Sequence, residues 1–248
     1  MIEVRETAFD KLAFNYDRLW STSAAGIAQR LAVWRYVDSL FREGEMVLDL
    51  GCGTGIDALH LQASGVSIYG IDSSPKMIEV ARRRGIDAHC FRIEDLHLLD
   101  ILVDGVISNF GALNCVASLS SVASDLARMV RPGGRVALCF LGRLCLWEAA
   151  YFLLRANPRK AFRRLRGWAD SSFGARAFYP TSGAIVSAFQ SDFRLLESCG
   201  IGLFVPPSYV AALTDWEIEQ LSKVDRRLAH QTALRPFADH HLYIFERI

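Results

Sequence analysis

The run Val47-Leu48-Asp49-Leu50-Gly51-Cys52-Gly53-Thr54-Gly55 constrains this chain more than any other feature. A short apolar strand passes directly into three alternating glycines, and residues 56 to 63 then continue at helical spacing. Glycines in that pattern let the main chain enter left-handed conformations and let a ligand approach it closely. Strand, tight turn and helix together make a nucleotide-cofactor loop of the kind found in open α/β sheets. The details discriminate among cofactors. A dinucleotide fingerprint needs a further glycine at position 56, which is Ile here, so a pyrophosphate site is disfavoured. Asp49 opposes phosphate but suits an ammonium group or organises the loop. Seventeen residues past Gly55, a second strand ends in Asp72, placed to accept hydrogen bonds from ribose hydroxyls. That acid fits adenosine and NAD equally well.

From 46 to 140 short β-branched runs alternate with amphipathic helical stretches, which predicts a parallel sheet covered by helices on both faces. Strands are expected near 46–50, 67–72, 87–92, 103–109 and 134–140, with 193–205 and 241–248 as the sixth and seventh. Pro75 opens a helix that Gly85 closes, and Arg131-Pro132-Gly133-Gly134 stops a helix over 119–130. A length of 248 residues suits one α/β domain with an elaboration, and a net charge of +1 gives no global footprint for nucleic acid. The cysteines at 52, 90, 115, 139, 145 and 199 form no CxxC pair or metal-ligand spacing, so buried thiols in a reducing cytoplasm are expected. The acidic start lacks a signal-peptide pattern, and Arg143 and Glu148 interrupt the most apolar stretch, so a soluble protein is expected.

Three segments carry a resemblance in the order and spacing of a known family: VLDLGCGTG, IYGIDSSPKMIEVAR and LARMVRPGGRVAL. Together they resemble the class I, Rossmann-like S-adenosylmethionine (SAM) dependent methyltransferases. The resemblance implies an α/β fold with a seven-stranded, mostly parallel sheet whose antiparallel last strand slips between the fifth and sixth. It implies SAM as cofactor and S-adenosylhomocysteine as product. Asp49, with the backbone of Gly51, Cys52 and Gly53, would hold the methionine ammonium and carboxylate, and Asp72 the ribose. Ser73 and Met77 fall on the adenine side, where Met77 is either a wall for the ring or a core methionine. The third motif departs from the family: in Phe91-Arg92-Ile93-Glu94-Asp95-Leu96 an arginine stands where an acid is usual. Arginine cannot accept from the adenine amino group, which leaves the backbone at Ile93 or the side chain of Glu94. Asn109, at the fourth strand's tip, is placed to contact cofactor or acceptor, and the turn there is not the Asn-Pro-Pro-Tyr type used on planar amines.

The chain reads as one domain: a helical lid over 1–41, a SAM-binding core over 42–141, an acceptor-side insertion over 142–180, and the rest of the sheet over 181–248 with a helical link at 206–239. Phe9, Tyr16 and Trp20 either cover the cofactor or pack the first helix down. Trp147, Tyr151, Phe152, Phe162, Trp168, Phe173, Phe178 and Tyr179 make the insertion a candidate acceptor pocket or simply its own core. Arg155, Arg159, Lys160, Arg163, Arg164 and Arg166 read as a solvated helix face, with an anionic acceptor or lipid headgroups as alternatives. Methyl transfer to oxygen commonly needs a base. An antiparallel last strand would start at the ligand edge of the sheet, so His240 or His241 is the candidate, against a histidine merely bonded to backbone. The expected function is methyl transfer to a small-molecule acceptor at oxygen or nitrogen, with no metal. A non-catalytic SAM-binding protein and a peripheral-membrane enzyme with a lipid-like acceptor are the alternatives; Ile56 counts against a nicotinamide oxidoreductase.

Overall fold

The computed structural model describes residues 7–170, 174–210 and 213–248. Two short helical turns, Ala13–Asn15 and Asp17–Ser21, precede α1 (Ala24–Val37). The chain then alternates β1 (Met46–Leu50), α2 (Ile56–Gln62), β2 (Ser67–Asp72), α3 (Pro75–Arg83), β3 (Ala88–Cys90), β4 (Val103–Ser108), α4 (Leu119–Met129) and β5 (Val130–Leu141). An insertion follows, with α5 (Leu146–Leu153), α6 (Pro158–Ala161) and a small hairpin of β6 (Trp168–Asp170) and β7 (Arg176–Phe178). The chain closes with α7 (Ser182–Phe189), β8 (Phe193–Ile201), α8 (Asp215–Leu228) and β9 (His240–Arg247).

The main sheet has the order β3-β2-β1-β4-β5-β9-β8, and β9 runs antiparallel to both its neighbours. The seven-stranded sheet with an inserted antiparallel last strand therefore matches the expected fold. Side-chain alternation sets its two faces. Leu48, Leu50, Leu138, Phe140, Tyr243 and Phe245 point to one side, where α4 and α7 cover them. Val47, Ala137, Cys139, Leu242 and Ile244 point to the other, against α1, α2 and α3. With both faces buried, the central strands are mostly apolar, and Asp49 in β1 is a polar exception inside the sheet.

Strand boundaries differ from expectation where the chain bends. β5 begins at Val130, because the ladder opposite Val103 resumes there and Pro132-Gly133-Gly134 is accommodated as an irregularity before Gly105 pairs with Arg135. β8 stops at Ile201, short of 205, and Gly202 turns the chain away with φ +70°. The basic stretch 155–166 is not a solvated helix face: α6 spans only four residues, a helical turn covers Arg163–Arg166, and Arg164 is buried.

Candidate active site

The carboxyl ends of β1, β2 and β4 open onto a cavity of about 750 Å³, within the roughly 300–1,000 Å³ typical of small-molecule sites. Gly51, Gly53, Asp72, Ser73, Met77, Ile93, Glu94 and Asn109 all line it. Asp49, Cys52, His240 and His241 do not.

The glycine turn is stitched to the neighbouring strand. The N–H groups of Gly51 and Cys52 both donate to the Ile71 carbonyl, at 2.8 and 2.9 Å. Gly51 has φ +74°, and a Cβ there would stand 2.2 Å from Ala112 Cβ, so the approach of the β1 and β4 loops requires glycine. Gly53 has φ +53°, and a Cβ there would meet nothing within 4 Å, because it faces open space. The Cys52 sulfur turns away toward Gly70, which leaves only its backbone at the turn.

Two carboxylates define the site's electrostatics. Asp72 accepts from Gly53 N–H at 3.0 Å and from Ser74 N–H at 2.8 Å. Burial nevertheless pushes its pKa up to about 6 against those two donors. Asp49 is 2% exposed, and its Oδ2 has no hydrogen-bond partner among the described residues. Burial, then the charges of Asp57 and Asp72, hold its carboxyl well above the ordinary range, and Arg30 only partly opposes them. Buried polar atoms are rarely orphaned, and this oxygen is an exception that lies outside the cavity lining.

Arg30 is committed elsewhere. It pairs with Asp57, which also accepts from Trp34 Nε1 at 2.7 Å and Asn109 Nδ2 at 3.2 Å. This hub was missed at the sequence level, because it joins residues of α1, α2 and the β4 tip that no local pattern links. Asn109 Oδ1 accepts from the Phe110 N–H at 3.0 Å, so its amide fixes the β4 tip. Phe110 itself has φ +50°, a strained value for a bulky residue, and its ring lines the cavity.

The N-terminal segment reaches over the same edge. Asp10 Oδ1 accepts from Ser74 Oγ at 2.7 Å and Lys76 N–H at 3.2 Å, at the start of α3. Asp17 accepts from Thr54 Oγ1 at 2.7 Å and pairs with Arg84, which also donates to the Thr54 carbonyl at 2.8 Å. Phe9 and Tyr16 thereby line the cavity, whereas Trp20 packs its ring 5.0 Å from Tyr16.

His240 and His241 start β9 at the ligand edge, but neither side chain reaches the cavity. His240 lies behind Phe110, edge-on at 5.2 Å, and burial lowers its pKa despite Asp239 beside it. Burial also pushes His241 down to about 4. Phe110 separates the His240 ring from the cavity, and the His241 ring, on the other face of β9 beside Gly142, lies outside its lining. The insertion's described aromatics likewise stay out of the lining, and Phe173 lies outside the described residues. Trp147 instead donates to the Phe204 carbonyl at 2.9 Å, and Phe162 and Trp168 face outward. The cavity's rings come from Phe9, Tyr16, Phe91 and Phe110, while the insertion contributes Gly174, Ala175 and Arg176. Arg92 and Glu94, both in the lining, pair with each other at 3.2 Å.

Known proteins share this architecture. The methyltransferase domain family matches residues 48–138. A demethylmenaquinone methyltransferase of Symbiobacterium thermophilum is 35% identical over 144 aligned positions, covering 53% of this chain and 56% of that one. The protein of the same name from Corynebacterium kroppenstedtii is 31% identical over 165 positions, covering 63% and 71%. The chain thus spans little more than half the length of several curated relatives it matches. A crystal structure of an S-adenosylmethionine dependent methyltransferase from Mesorhizobium loti has the same fold, with a TM-score of 0.59 at 20% identity over 92% of this chain and 99% of that one. This chain belongs to the class I, Rossmann-like SAM-dependent methyltransferases.

Proposed function

We propose that this protein transfers the methyl group of SAM to a small-molecule acceptor, at oxygen or nitrogen. The observation that carries the reading is the glycine turn beside Asp72: Gly53 faces open space and donates to Asp72, and both line the cavity. SAM supplies a cationic sulfonium whose methyl is ready for in-line displacement. The residues fit such a ligand: Asp72 suits its ribose hydroxyls, and Met77, Ile93 and Ser73 the adenine side, with Glu94 as an acceptor for the amino group. The methionine tail falls to the backbone of the glycine turn rather than to Asp49, which lies outside the lining. Phe9 and Tyr16, pinned through Asp10 and Asp17, would cover the ligand and exclude water.

With His240 behind Phe110 and His241 outside the cavity lining, rate enhancement rests on positioning and desolvation. Relatives named for demethylmenaquinone, itself a small molecule, support that class of acceptor. Calorimetric titration with SAM, S-adenosylhomocysteine and NAD tests the cofactor. Binding of both sulfur ligands, lost in Asp72→Ala, with none for NAD, is the expected result; NAD binding or none at all refutes it. Methyl release from labelled SAM into an acceptor panel then separates turnover from binding alone.

A further inference from the structure

The insertion carries a surface that the cavity does not use. Between Leu146 and Trp168 the chain has six cations and a single carboxylate, Glu148. Glu148 is 1% exposed and occupied by Arg163 and Arg164. Arg155, Arg159, Lys160 and Arg166 make no ion pair with any described residue, so their charge faces solvent uncompensated.

Large apolar side chains stand among them. Leu154 is 87% exposed, and Leu146, Leu153, Phe162, Leu165 and Trp168 are each more than two-fifths exposed. The turn after α5 is what projects Leu153 and Leu154: Ala156 adopts φ +53°, and the N–H groups of Arg155 and Asn157 both donate to the Phe152 carbonyl. A non-glycine residue held left-handed at that turn keeps two leucines in water. Arg155 lies over the Tyr151 ring at 3.7 Å and Lys160 over Phe152 at 5.5 Å, so cations and apolar groups interleave on one face.

We propose that this face docks the protein on an anionic lipid bilayer, its leucines and aromatic rings entering the headgroup boundary and its four unpaired cations meeting lipid phosphates and carboxylates. Charge complementarity selects the partner: apolar groups stand among four unpaired cations, and the exposed carboxylate nearby, Asp170, is taken up by Arg176 at 3.1 Å, which matches an anionic interface. The face is also continuous with the cavity rim. Trp168 pairs across the hairpin with Phe178, and Arg176, which lines the cavity, lies over the Trp168 ring at 4.6 Å. Docking would bring that rim to the lipid, so an apolar acceptor could enter without crossing water; this consequence rests on the methyl-transfer reading, whereas docking itself does not.

Co-sedimentation of the full chain with vesicles of phosphatidylcholine and phosphatidylserine, beside vesicles of phosphatidylcholine alone, tests the proposal. The expected result is pelleting on the anionic vesicles at low salt that falls severalfold at high salt, where screening shortens to a few ångströms. The double variants Leu153→Glu/Leu154→Glu and Arg159→Glu/Lys160→Glu should each lose it while binding S-adenosylhomocysteine as the native chain does, which shows that they fold. Absence of pelleting at low salt, equal pelleting on both vesicles, or native-like pelleting of both variants overturns the proposal. So does a dimer in sedimentation velocity that Leu154→Glu dissociates, or retention of RNA, when vesicles are not bound. Failure of the native chain to bind S-adenosylhomocysteine would instead strike at the cofactor reading.

Discussion

Asp72 reports on the site through its proton. Burial outweighs its two backbone donors and sets its pKa near 6 in the free protein. Ribose hydroxyls donate to the ionised carboxylate, so a complex holds Asp72 deprotonated at a lower pKa. Below pH 6 binding must expel a proton, and affinity for S-adenosylhomocysteine should weaken by up to about tenfold per pH unit. Calorimetry from about pH 5 to about pH 7.5 reads this slope, which Asp72→Asn should lack along with most affinity; a flat native profile removes Asp72 from the ribose. The glycines give a second test. Gly51→Ala meets Ala112 and should cost roughly 1–3 kcal/mol for overpacking, plus about 1 kcal/mol for a left-handed alanine. Gly53→Ala carries only the backbone cost yet places a methyl where a ligand would lie. Thermal melts should therefore separate the two, while both lose cofactor affinity. These residues were legible in sequence because strand, glycine turn and acid occur at fixed spacing. Arg30 and Asp57 were not, since their pairing joins α1 to α2 and no local pattern records it.

At the scale of elements, two carboxylates anchor the N-terminal segment beside the packing of Ala13 and Ser21. Asp10 bonds the start of α3, and Asp17 bonds the glycine turn and Arg84. Charge-assisted bonds of this kind contribute about 1.5–3 kcal/mol when buried, less here because Arg84 and Asp17 are partly exposed. Asp17→Ala should weaken S-adenosylhomocysteine binding about tenfold, or about 1.4 kcal/mol, and speed tryptic cleavage after Lys11 and Arg18, with little change in melting temperature. Unchanged affinity and cleavage would mean that the segment does not order the site. Such anchoring is invisible to periodicity: the aromatics at 9, 16 and 20 fit a lid and a packed helix equally well until their partners are known. β1 and β2 were legible to the residue because long apolar runs end at glycine and acid. The β6–β7 hairpin was not, because three-residue strands are too short to show an alternation.

Across the whole molecule, one buried polar cluster ties the insertion to the sheet. Arg164 pairs with Glu148 from α5 and, at 3.0 Å, with Asp239 at the start of β9; it also donates to the carbonyls of Gly142 and Asp239, at 3.2 and 3.3 Å. Tyr209, from the loop beyond β8, donates to Glu148, and Gln29 of α1 reaches Asp239 at 3.5 Å. Four distant parts of the chain thus meet around one guanidinium. Burial works against the Asp239 charge, but His240 and Arg164 hold its pKa below the ordinary value. An acid depressed in the folded state stabilises it above the unfolded pKa, and that contribution disappears as pH falls through the folded value. Arg164→Met would leave Glu148 and Asp239 buried without their shared cation, at a cost of about 3–5 kcal/mol, or about 10 °C in melting temperature for a chain of this size. The deficit should be widest near neutral pH and shrink as pH falls, because Asp239 without its cation takes up a proton while in the native chain it keeps its charge. Melting curves of both proteins from neutral pH downward check the sign. A gap that stays constant with pH would mean that packing of the Arg164 stem, rather than its charge, holds the insertion against the sheet.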